Sequence, residues 1–328
     1  MTAGPFALKS AAMPEPVKPK KRKKKKQNPV LDFLLYVLLR VLLAVLYAFD
    51  IETNLKTARF LGRLLWKYYH RGRKRALDNL HASFPDKSEQ WIHRVGRRSF
   101  EHVVMLAVDV IFTPRLVKKY NWRDYSRFKT VERLKWVTKE GKGVLMLTGH
   151  YGNFEILGYM LGLFGFNVYS VARPLDNRYI SEYLYGVRER AGQKIINKKG
   201  ASRVMDKLIA NGAAIGFIAD QDAGKKGVFV DFFGRKASTY KSIGLLAITY
   251  NVPIAVAYSR RIGNRFFFEI CVNRMIFPDE WADKEDPLEW VTAEYTKAIE
   301  DFVREDPTQY WWLHRRWKHR PRQERQRS

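Results

Sequence analysis

The sequence predicts an α/β fold: a central mixed sheet with helices on both faces, preceded by a helical N-terminal region that opens on a membrane-anchoring helix. Three observations predict it. From Gly141 onward, short apolar runs alternate with stretches of helical spacing, the pattern of a sheet covered by helices. Residues 51 to about 135 carry helical spacing, as in Leu61, Leu64, Leu65 and Tyr68. Pro29 to Phe49 is nearly unbroken apolar sequence, long enough to cross a bilayer as a helix.

These readings divide the chain. Residues 1–28 form a polybasic head, expected to be disordered because like charges repel and few apolar groups are available to bury. Residues 29–49 are the anchoring helix, interrupted by Asp32 and by Arg40 at mid-span, where a charge must snorkel or pair. Basic residues flank the segment on both sides, so charge does not orient it. Residues 50–140 are the helical part of the main domain. Phe84-Pro85-Asp86 breaks the chain there, and Ser88 with Trp91 opens the next helix. Residues 141–320 are the α/β part. Gly143–Thr148, Val168–Val171, Ala214–Ala219 and Pro253–Tyr258 read as strands, and 154–164, 178–190, 201–210 and 240–250 as helices. Residues 321–328 are a basic tail.

Composition narrows the function classes. The 328 residues are 46% hydrophobic, enough for a substantial core and against wholesale disorder. Sixty Lys and Arg against 33 Asp and Glu give a formal charge of +27. That charge attracts nucleic acid, anionic lipid or an acidic carrier protein without choosing between them. Nine Trp in a 14% aromatic chain tilt the choice toward a lipid–water interface. The single cysteine, Cys271, excludes an intrachain disulfide and reads as a buried strand residue.

The strand ending at Thr148 runs into Gly149-His150-Tyr151-Gly152-Asn153-Phe154-Glu155. Asn153 is a good N-cap for the following helix. Gly149 and Gly152 allow a sharp bend and close approach of a ligand to the backbone. The turn lies where open α/β sheets bind ligands, beyond the carboxyl ends of strands. His150 is then a candidate base, with Glu155 folding back to hold its tautomer. A His-x4-Glu spacing alone also fits a structural histidine.

The wider pattern is more specific. Arg75-x3-Asn79-Leu80-x3-Phe84-Pro85, the His150-x4-Glu155 block, Arg173-Pro174-x-Asp176-Asn177 and Ala219-Asp220-Gln221-Asp222-x-Gly224 occur in order. They end in Gln309-Tyr310-Trp311-Trp312-Leu313-His314-Arg315-Arg316-Trp317-Lys318. In these blocks the chain resembles the late acyltransferases of lipid A synthesis, the lauroyl and myristoyl transferase type, from about Leu31 to Pro321. The resemblance implies transfer of a fatty acyl group from a thioester, on acyl carrier protein or CoA, to a hydroxyl of a phosphorylated glycolipid. It implies His150 as base with Glu155, no metal or other cofactor, and Arg188 or Arg173 at the developing negative charge. Gly152, Asn153, Asp220 and Asp222 are further expected substrate contacts, with no nucleic acid partner. It also implies the cytoplasmic face of a bacterial inner membrane, where the basic head would meet anionic lipid. The aromatic and basic carboxy-terminal block nominates Arg315 and Arg316 for the acceptor phosphate. Two other readings stand beside this one. Asp220-x-Asp222 after a strand suits a divalent metal in a glycosyltransferase, and the charge alone suits a non-enzymatic membrane or nucleic-acid binder.

Overall fold

The computed structural model describes residues 28–130, 132, 141, 143–172, 175–197 and 202–321. Most of the polybasic head, the tail beyond Pro321, and Arg173 lie outside these residues.

The chain opens with α1 (Pro29–Tyr47), capped by the Asn28 side chain, which accepts from the Val30 and Leu31 amides. Among the described residues it is the helix long and apolar enough to cross a membrane, and it is almost wholly exposed. Arg40 does not stand alone: its Nη1 donates to the Tyr36 hydroxyl at 2.9 Å. Next come α2 (Ile51–Tyr68), α3 (His70–Ser83) and α4 (Glu89–Leu116). Ser88 caps α4 by accepting from the Trp91 amide. The Phe84-Pro85-Asp86 break separates α3 from α4 as its turn chemistry dictates. α2 and α4 approach closely at Gly62, where a Cβ would lie 2.4 Å from the Glu101 Cα.

Of the stretch read as helical to about residue 135, α4 ends already at Leu116. After α4 the chain makes a short 3-10 turn and the strand β1 (Ser126–Lys129). This four-residue edge strand carries Arg127 and Lys129 outward, so no apolar run announces it. The α/β part continues with β2 (Val144–Thr148), α5 (Phe154–Leu163), β3 (Val168–Ala172), α6 (Arg178–Glu189), β4 (Lys194–Asn197), α7 (Ser202–Ala210) and β5 (Ala214–Ile218). A hairpin of β6 (Val228–Phe232) and β7 (Arg235–Thr239) follows, then α8 (Lys241–Tyr250), β8 (Ile254–Arg261) and β9 (Phe268–Ile276). The short α9 (Asp279–Ala282) and the long α10 (Pro287–Glu305) are the last α-helices among the described residues.

The main sheet has the order β1-β9-β8-β2-β5-β3-β4. β8, β2, β5, β3 and β4 are parallel; β9 runs against β8, and β1 runs with β9. The sheet is therefore mixed. Both faces are buried, which the two-residue period of a strand makes visible. Leu145 and Leu147 of β2 join one core with Ile215, Ile254 and Val256. Val144 and Met146 join another with Ala214, Ala255 and Ala257. A fully buried ion pair between Arg261 of β8 and Asp109 of α4 ties the helical region to the sheet.

Candidate active site

The site begins with strand register. β2 and β5 are parallel neighbours with Thr148 opposite Ile218. Two residues past that pair the chains carry His150 and Asp220, which therefore meet. The His150 amide donates to Asp220 Oδ2 at 2.8 Å, and Nδ1 lies 2.7 Å from Oδ1. A carboxylate at Nδ1 fixes the proton there and leaves Nε2 as the acceptor nitrogen. Both residues are buried, His150 8% and Asp220 1% exposed. Burial pushes the Asp220 carboxyl up, but His150, by charge and hydrogen bonds, and His314 outweigh it, so Asp220 stays far below the usual carboxylate range.

The turn carrying His150 is pinned from several sides. Gly152 has φ +53°, and a Cβ there would lie 1.8 Å from the Ser259 carbonyl oxygen; only glycine fits. The Gly152 amide donates to the Gln309 carbonyl at 3.1 Å, and the Asn153 amide donates to the Ser259 carbonyl at 2.9 Å. His102 Nε2 donates to the Gly152 carbonyl at 3.0 Å. Asn153 is fully buried, and its side chain accepts from the Ile156 amide as the N-cap of α5.

Glu155 does not fold back onto His150. Its cap at Asn153 puts it in the first turn of α5, where it pairs with Arg188 of α6: Nε at 2.9 Å and Nη2 at 2.5 Å from the two carboxylate oxygens. Asp220 takes the place at Nδ1 expected for Glu155. The two carboxylates thus have separate partners because strand register, not helix spacing, selects the neighbour of His150.

The carboxy-terminal block closes over the turn. Tyr310 bridges Tyr151 in antiparallel fashion, and the Trp311 amide donates to the His150 carbonyl at 3.1 Å. The Trp311 ring lies 5.0 Å from the His150 ring between centroids, and the His314 ring 4.5 Å. Burial first, and the nearby charge of His150 second, lower His314 to about 4. Arg316 corrects the expectation of a phosphate ligand. It is 1% exposed and donates to the Gln221 and Ser238 carbonyls and to Thr239 Oγ1. Its donors hold the framework because the chain folds inward there. Arg315 is exposed.

His150 borders a groove of about 900 Å³, lined also by Leu175, Leu184 and Arg188 and by Ile243 and Leu246 of α8. A second, polar pocket of about 210 Å³ is lined by Gln221, Asp222, His314, Arg315, Arg316 and Lys318. Gln221 lines both. Asp220 and Asp222 do not converge as a metal pair: Asp222 accepts from His319 Nδ1 at 2.7 Å, while Asp220 serves His150. Among the described residues, His150, Asp220 and His314 bring one possible ligand atom each within 4.8 Å of one another, but the first two already satisfy each other. His314 and Trp311 beside the His150 ring, and Gln221 beside its Nε2, had no signal beyond membership of the carboxy-terminal and Asp-rich blocks.

Known proteins match most of the chain. A family model described as bacterial lipid A biosynthesis acyltransferase matches residues 20–319. The chain is 26% identical over 270 residues to a lipid A biosynthesis lauroyltransferase of Escherichia coli, covering 80% of this chain and 84% of the relative. It is 24% identical over 268 residues to a lipid A biosynthesis palmitoleoyltransferase of the same organism, covering 80% and 83%. A lipid A biosynthesis myristoyltransferase, also from Escherichia coli, is 22% identical over 259 residues, with 77% of each chain covered.

Proposed function

The chain belongs to the bacterial lipid A biosynthesis acyltransferase family, and from that premise we propose that it moves a fatty acyl group from a thioester to a hydroxyl of a lipid A precursor, with His150 as general base. The donor is acyl carrier protein, or CoA in its place, and the acceptor is a phosphorylated glycolipid. The observation that carries the reading is the meeting of two cavities beside one histidine. An apolar groove suited to a hydrocarbon chain and a basic polar pocket suited to a charged head share Gln221, next to His150. The groove volume falls in the range of ligand pockets, about 300–1,000 Å³.

In this reading His150 Nε2 takes the proton of the acceptor hydroxyl as its oxygen attacks the thioester carbonyl carbon. The carbonyl oxygen becomes negative. Collapse breaks the C–S bond, and the leaving thiolate takes the proton from the imidazolium, so an ester and a free thiol result. Asp220 stays ionised, holds the tautomer and stabilises the imidazolium. Arg188, held by Glu155 through Nε and Nη2, brings a fixed positive charge to the groove wall. Arg315 and Lys318 are the exposed cations at the polar pocket, placed for the acceptor phosphate, which paired guanidinium donors suit.

Membrane delivery fits the same scheme. α1 serves as the anchor, and the polybasic head binds anionic lipid at the cytoplasmic face of the inner membrane. His150→Ala tests the centre. Detergent-purified protein with an unchanged melting temperature is expected to lose transfer by about 100- to 10,000-fold, the usual contribution of a positioned base. Near-normal transfer, followed by mass spectrometry of the lipid product, would overturn the mechanism.

A further inference from the structure

The geometry points to Gln221 as the hydrogen-bond donor to the thioester carbonyl oxygen in the transition state, and as the cover of the base before substrate arrives. The inference rests on the acyl-transfer reading above and adds a residue to it. Gln221 Nε2 lies 3.4 Å from His150 Nε2. With the Nδ1 proton committed to Asp220, His150 Nε2 is an acceptor, so the amide must face it with N–H rather than with oxygen. A donor therefore already sits against the one lone pair that the reaction uses.

Two further observations separate this from a solvated surface amide. The main chain of Gln221 is held: its carbonyl accepts from the fully buried Arg316 at 3.2 Å, and it follows the buried Asp220 directly. Its side chain, by contrast, is exposed and lines both the apolar groove and the polar pocket. A fixed root with a free amide can yield the base to a substrate and stay within reach. Arg188 is fixed in place by the Nε and Nη2 bonds to Glu155, whereas the Gln221 amide can move with the substrate.

The acceptor hydroxyl displaces the amide and donates to His150 Nε2. As its oxygen bonds to the carbonyl carbon, its proton passes to Nε2 and the carbonyl π pair moves onto oxygen. The displaced Gln221 N–H donates to that oxyanion. The pair returns as the C–S bond breaks, and the thiolate leaves with the proton from Nε2. Gln221 is unchanged throughout.

The test uses the full-length, detergent-purified chain with an acyl-carrier-protein thioester and a lipid A precursor. Gln221→Ala is expected to lower kcat by about 100-fold or more, with KM for either substrate within about threefold of the parent, as for loss of an oxyanion donor. Gln221→Glu keeps the shape but turns lone pairs toward the oxyanion, so its kcat should fall below that of Gln221→Ala. Melting temperatures should match the parent, because the side chain is exposed. Both variants within about threefold of the parent kcat, or a loss confined to KM, would overturn the inference. A parent chain that transfers no acyl group overturns the function itself and this inference with it.

Discussion

At the residue scale, the His150–Asp220 contact is a statement about a proton. Asp220→Asn preserves the shape, but an amide that turns its N–H toward Nδ1 drives the ring proton to Nε2 and, in the proposed mechanism, removes the base. A kcat loss on the order of 1,000- to 10,000-fold is expected with KM little changed. Retention of normal turnover in the folded variant would show that another group orients the ring. The adjacent arginines Arg315 and Arg316 should separate cleanly. Arg316→Ala leaves the buried Ser238 carbonyl and Thr239 hydroxyl, and the part-buried Gln221 carbonyl, without their donor, so it should lower stability by about 2 kcal/mol, read as a lower melting temperature. Arg315→Ala should leave the melt alone and raise the apparent KM for the acceptor. An Arg315→Ala effect on the donor alone would count against a phosphate contact. His150 and its turn were legible in the sequence, because a strand, a glycine bend and an N-cap each have a local signature. Asp220 as the partner was not, because the neighbour of His150 depends on which strand lies beside β2.

At the element scale, α1 has two contacts to explain. Its outer surface is apolar and exposed over most of its length. Its other side meets α6: the Asn177 side chain donates to the Asp32 carbonyl at 2.8 Å, and Phe33 and Tyr36 pack on Tyr179 at 5.5 and 5.9 Å between ring centroids. α6 also walls the groove. A chain beginning at Asp50 should leave the membrane fraction, whereas the intact chain should stay there in high salt, because apolar burial is insensitive to screening. The same truncation should raise hydrogen exchange over residues 178–189, whose outer face loses its cover. If the shortened chain fractionates like the intact one, the anchor is elsewhere. Helical spacing and length made α1 to α8 readable as helices. β1 and β4 escaped that reading because each is four residues long at a sheet edge, with little apolar alternation to betray it.

At the scale of the whole molecule, buried titratable groups make stability depend on pH. Burial first, and then the charge of Arg261, lower His102 to about 4; His314 is also lowered to about 4. Both histidines are neutral when folded but take up protons below about 6.5 when unfolded, so they destabilise the fold as pH falls from about 6.5 toward 4. Asp109 works the other way: burial raises it to about 6 against the pull of Arg261, so near pH 5 the folded state holds one proton that the unfolded state lacks. Two protons gained by the unfolded chain minus one by the folded chain leave one. Stability should therefore fall by about 1.4 kcal/mol per pH unit near pH 5. Below about 4 the depressed Asp220 adds to the loss. Thermal melts across this range measure the slope, and a melting temperature flat between pH 7 and 4.5 would contradict the assignment.

The sequence by itself determined the alternation of strands and helices, the apolar amino-terminal helix, and the turn that presents His150. All three are written in residues close together in the chain, through periodicity, capping and the freedom of glycine. Only the tertiary structure decided which carboxylate serves His150, that Glu155 clamps Arg188, and that Arg316 is a buried brace while Arg315 faces solvent. These depend on strand order and on where the carboxy-terminal block packs. Asp220 lies seventy residues beyond His150, and that distance is closed by parallel pairing of two strands, which no local pattern encodes.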